Sequence, residues 1–147
     1  MSRSSMESFA AAAGIAVLVM VGRPGTAAAQ EGPKLPEGVT TKMVEDGQKI
    51  FTGVGTRLTC HGKKGQGTPV GPNLSDEKWL NIDGTYDAIV KLITTGVPQP
   101  KEHMVPMLPK AGTQITDEQV KSVAAYVWTL CRAGRAPEAC SPGGKAP

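Results

Sequence analysis

The chain has 147 residues, enough for one compact domain plus a tail or targeting segment. Hydrophobic residues make up 39% and charged residues 20%, which excludes a plainly disordered chain and an integral membrane protein. A net charge of +3 and an aromatic content of only 4% exclude a dedicated nucleic-acid binder, which needs a stronger basic field and stacking platforms.

The N-terminal segment reads as an address. Arg3 is followed by an apolar run at 9–21, then by the helix breakers Gly22, Pro24 and Gly25. Ala27, Ala28 and Ala29 form a small-residue cleavage site. A spanning helix needs roughly 20 apolar residues, so the run is short for an anchor. The pattern predicts a cleaved secretory signal at 1–29, with an uncleaved membrane anchor as the alternative. Export would place the mature chain where disulfides persist. The lead-in at 30–39 and the tail at 132–147 are rich in Pro and Gly and lack periodicity. Between them lies one domain, 40–131.

Three main helices are expected in that domain. The first spans about 41–52, with Thr40 or Thr41 as its cap and Val44, Ile50 and Phe51 on or near one face. A short helical turn after Ser75 is also expected. The second main helix spans about 86–95, capped by Thr85, striped by Ile89, Leu92 and Ile93, and stopped by Gly96. The third spans about 117–131. Thr116 and Gln119 have capping-box spacing, and Val120, Val123, Ala124, Val127 and Leu130 form its stripe. No stretch alternates like a strand, so the fold class is all-α. The long connections at 53–74 and 97–114 hold every potential metal ligand, and loops of that length usually carry function.

Cys60-His61 precedes a Gly-rich run, Gly62-Lys63-Lys64-Gly65-Gln66-Gly67, and is expected in a loop. The cysteine could form a covalent bond while the imidazole coordinates a metal. The full haem-attachment signal is C-x-x-C-H, and its first position here is Arg57. The sequence at 51–74 (FTGVGTRLTCHGKKGQGTPVGPNL) resembles the haem-binding segment of class I c-type cytochromes. The likeness continues through GTYDAIVKLITTGVP at 84–98, VPMLPKAG at 105–112 and TDEQVKSVAAYVWTL at 116–130. It covers about residues 40 to 131.

The resemblance implies a small cytochrome c-like fold whose long loops wrap one haem. His61 would be the proximal axial ligand and Met107 the distal one. Cys60 would form the single thioether that remains when Arg57 replaces the first cysteine, giving haem c on one linkage. Pro72, in Gly71-Pro72-Asn73-Leu74, would offer its carbonyl to the other nitrogen of His61, fixing the ring and raising its basicity. Gly47 and Phe51 would pack against the last helix near Val123 and Tyr126. Trp79 could reach a haem propionate. Met104 and His103 compete for the distal place, but the position before Leu108-Pro109 favours Met107.

His/Met ligation raises the reduction potential and fills both axial positions, which suits electron transfer and not catalysis. The expected function is an exported, periplasmic one-electron carrier, with an oxidase, reductase or dehydrogenase complex as redox partner. Peripheral association with a membrane is compatible with that role. Lys63, Lys64, Lys101 and Lys110 would form a basic docking rim, or simply a solvated surface. Cys131 and Cys140 would pair in an oxidising compartment and pin the tail; two free thiols, or a bond to another chain, are the other possibilities. Two other functions compete. Cys60, His61, His103, Met104 and Met107 make a soft ligand set that would suit Cu(I) in a periplasmic copper-binding protein. Arg57 would also fit a cytochrome-like interaction domain that has lost its haem.

Overall fold

The computed structural model describes residues 33–53, 57–133 and 140. The segment expected to be an export signal lies outside the described residues, as does most of the C-terminal tail. Four α-helices follow in chain order: α1 (Thr41–Gly53), α2 (Arg57–His61), α3 (Tyr86–Thr95) and α4 (Asp117–Arg132). A 3₁₀ segment, Pro109–Gly112, precedes α4. Among the described residues there is no strand, only an isolated antiparallel bridge between Val97 and Met107. The all-α expectation holds, and the three main helices lie within a residue of the expected spans. No helix among the described residues is long and apolar enough to cross a membrane.

Each main helix starts where a side chain satisfies its free N–H groups. The Thr40 hydroxyl accepts from the Met43 amide at 3.2 Å, and the Thr85 hydroxyl accepts from the Ala88 amide. At α4 the box closes in both directions. The Gln119 amide donates to the Thr116 hydroxyl, and the Thr116 amide donates to the Gln119 side chain at 2.8 Å.

Helices α1 and α4 cross at Gly47. Any Cβ there would strike the Ser122 carbonyl, so only glycine permits this approach. One turn on, Phe51 meets Tyr126 edge to face, with ring centroids 5.3 Å apart. Ile89 and Ile93 of α3 complete a core with Val120, Val123 and Val127 of α4.

Two expectations are corrected. No helical turn forms after Ser75. The Asn73 side chain accepts instead from both the amide and the hydroxyl of Ser75, and the Asp76 carboxylate accepts from the Lys78 amide. Such local bonds offer the backbone an alternative to a helix. Cys60-His61 does not sit in a loop but at the end of α2. The glycines follow the pair, so they end the helix without preventing it. Gly62, at φ 78°, donates its amide to the Leu58 carbonyl.

Candidate functional site

The loops around α2, α3 and the 3₁₀ segment enclose a cavity of about 440 Å³. That lies within the roughly 300–1,000 Å³ typical of cofactor sites. Phe51, Ile89, Ile93, Val123 and Val127 line it, so the face of the core is also the wall of the cavity. Cys60, His61, Pro72, Trp79 and Met107 line it as well. The structure therefore brings together all five cavity residues singled out in the sequence.

His61 is held by local chemistry. Its Nδ1 lies 2.9 Å from the Pro72 carbonyl oxygen, which can only accept, so the ring proton sits on Nδ1 and Nε2 keeps its lone pair. Burial is the main cause that lowers the imidazole's proton affinity, which keeps the ring neutral and able to ligate. Three further bonds close the loop behind it. The Gly67 amide donates to the His61 carbonyl at 2.8 Å, the Thr68 hydroxyl donates to the Cys60 carbonyl at 2.6 Å, and the Thr68 amide donates to the Gly71 carbonyl. Gly71 passes so close to Cys60 that a Cβ would meet the Cys60 carbonyl. The Cys60 thiol is free and half-buried. As successive helical residues, Cys60 and His61 point about 100° apart, so one can reach the edge of a ligand while the other reaches its centre.

Met107 is held differently. It pairs with Val97 through both backbone bonds, at 2.8 and 3.1 Å. This pairing brings its carbonyl onto Gly96 at the end of α3, where φ is 74° and a Cβ would collide. Met104, in contrast, is 97% exposed. His103 lines the cavity, with Nδ1 3.4 Å from the Pro69 carbonyl oxygen.

Beyond Met107 the chain enters a turn that the sequence did not announce. Lys110 (φ 52°) and Ala111 (φ 55°) are both left-handed, and Gly112 follows at φ 70°. For the two residues with a Cβ this costs about 1–2 kcal/mol each. The Lys110 carbonyl accepts from the Thr113 hydroxyl at 2.6 Å and from the Arg57 guanidinium at 3.0 Å. The Lys110 ammonium pairs with Asp117 at 2.8 Å, so it is tied to α4, unlike the exposed Lys63, Lys64 and Lys101. Arg57 is only 3% exposed and also lines the cavity. Burial lowers the proton affinity of its guanidinium, though arginine stays charged. Sequence reasoning marked Arg57 as a gap in a motif and missed its burial and its partner 53 residues away.

Trp79 packs its indole against Gly84. Its Nε1–H is buried and has no hydrogen-bond partner among the described residues. A buried unpaired donor is costly, and a carboxylate on a bound cofactor would satisfy it. An apolar cavity, a neutral imidazole, a thioether sulfur and this donor together fit a haem. The five-residue soft set that copper would use is not brought together, since Met104 is 97% exposed. At the C-terminal end of α4, Cys131 is joined to Cys140 by a disulfide. Arg132 packs its guanidinium on the Trp128 ring at 3.9 Å and donates to the Cys140 carbonyl.

The sequence signature of the cytochrome c family matches residues 44–131. The chain belongs to that family and is a haem-binding electron-transfer domain. Among particular relatives, it is 37% identical over 84 residues to the Cbb3-type cytochrome c oxidase subunit CcoP of Rubrivivax gelatinosus, covering 57% of this chain. It is 41% identical over 76 residues to subunit FixPc of Rhizobium leguminosarum bv. viciae, covering 49% of this chain. The chain spans about 25% of the length of each of these curated relatives. Among solved structures it is similar to cytochrome CL from Methylophaga aminisulfidivorans MPT. That likeness has 18% identity and a TM-score of 0.46, and covers 60% of this chain and 53% of the other.

Proposed function

We propose that this chain is an exported mono-haem electron carrier with His61 and Met107 as axial ligands and one thioether through Cys60. One observation carries the reading: His61, oriented by Pro72, lines the same apolar cavity as Met107 and the free Cys60. Haem iron supplies one-electron chemistry when bound. The residues do the rest. Pro72 holds the His61 proton on Nδ1 and leaves Nε2 for the metal. Met107 would hold the iron from the other wall of the cavity, an arrangement that would suit passing electrons more than transforming a substrate. A thioether ligand favours the reduced state and raises the potential. Phe51, Ile89, Val123 and Val127 exclude water, and Trp79 offers its N–H to a propionate. Arg57 leaves Cys60 as the one cysteine available for attachment.

An oxidase complex is the proposed redox partner, because the relatives named above are oxidase subunits. Exposed Lys63, Lys64 and Lys101 would steer an acidic surface toward the cavity. The reading of residues 1–29 as an export signal places this exchange in the periplasm.

Two measurements test the proposal. The intact mass of the denatured protein should exceed that of the polypeptide by one haem, with a pyridine haemochrome spectrum of a single thioether. Cys60→Ala should then release haem on denaturation, and an unchanged mass would refute the linkage. Met107→Ala should abolish the weak sulfur-to-iron band of the ferric protein; if the band persists, another residue is the distal ligand.

A further inference from the structure

We propose that Arg57 is a positioning residue for the distal ligand: its guanidinium straps α2 to the left-handed turn that follows Met107. The inference rests on the ligand assignment above and extends it to a residue outside the ligand set. Arg57 occupies the place of the first attachment cysteine, yet it does not face solvent as an idle substitution at that position could. It is 3% exposed, lines the cavity and donates from Nη2 to the Lys110 carbonyl at 3.0 Å.

That carbonyl is unusual in what it holds. It belongs to the first of two successive left-handed residues that carry a Cβ, three positions after Met107. It also accepts from the Thr113 amide and hydroxyl, at 3.2 and 2.6 Å. Strained conformations of this kind persist only where the surroundings over-determine them. Thr113 acts from within the turn, and the Lys110–Asp117 pair ties it to α4. Arg57 supplies the bond to the helix that carries Cys60 and His61, spanning 53 positions of sequence. A charged donor makes the stronger kind of hydrogen bond, and its forked geometry fixes direction. The strap therefore couples the two sides of the cavity. Without it the turn relaxes and Met107 leaves the metal more often.

The test uses the ferric holoprotein and imidazole, a ligand that enters only when the distal position opens. Its apparent affinity reports the open fraction. Arg57→Ala is expected to bind imidazole about tenfold more tightly, a change of about 1.4 kcal/mol. The sulfur-to-iron band should weaken, and amide exchange at 107–113 should quicken while the core of α4 stays protected. Arg57→Gln, closer in size and uncharged, should do the same and serves if the alanine variant fails to take up haem. A Met107-dependent band with imidazole affinity within about twofold of wild type in these variants overturns the strap alone. A wild-type band that survives Met107→Ala overturns the ligand assignment and the strap with it.

Discussion

The two sides of the cavity differ in backbone strain and in one long-range bond. On the His61 side, the bonds that orient the imidazole and close the loop behind it come from the next dozen residues: Pro72, Gly67, Thr68 and Gly71 all act within one loop. On the Met107 side, Val97, Thr113 and Asp117 also act from nearby, but one bond reaches across the fold, from Arg57 to Lys110 over 53 positions, and the turn itself is strained. Local bonds close small loops at low entropic cost, whereas distant ones depend on the whole fold being in place. The His61 side should therefore behave as a rigid cradle. The Met107 side should open first, because its turn is strained and its one cross-fold bond holds only while the rest of the domain is in place.

Substitutions can break this asymmetry or sharpen it. The largest effect is expected from His61→Ala, which removes the oriented ligand. The thioether through Cys60 would keep the haem attached, but the stabilisation that a tightly held ligand confers should be lost, about 4 kcal/mol or more. Thermal unfolding of the haem-loaded variant measures this, and a variant as stable as wild type would contradict the cradle. Gly96→Ala should cost less, about 2 kcal/mol, because it adds a Cβ at positive φ against the Met107 carbonyl. The damage should be confined to the distal side. The sulfur-to-iron band should fade well below the denaturant concentration that unfolds the helices, and coincident transitions would show that the two sides are not separable. The smallest effect is a gain. Ala111→Gly relieves a left-handed residue and should stabilise the loop by about 0.5–1 kcal/mol, net of the greater freedom of glycine in the unfolded chain. A chemical denaturation curve would show it as a modest rise in midpoint.

The same asymmetry explains what could be read in advance. The caps Thr40, Thr85 and Thr116, the stop at Gly96 and the apolar stripes are local signals, and they located α1, α3 and α4 closely. The Gly-rich run after His61 was visible but misread as a loop containing the pair, because glycine that ends a helix looks the same in sequence as glycine that prevents one. The turn after Ser75 failed for a related reason: Asn73 and Asp76 bind their own neighbours' backbones.

Sequence by itself determined the helix class, the family and the residues of the cavity, because periodicity, capping and the spacing around Cys60-His61 are written within short windows. Only the tertiary structure decided that Met104 is exposed while Met107 is not, that the Trp79 N–H is buried with no partner among the described residues, and that Arg57 reaches Lys110. These facts depend on which distant segments the fold brings within 3 Å of each other. No pattern in the chain specifies that approach until the helices have packed.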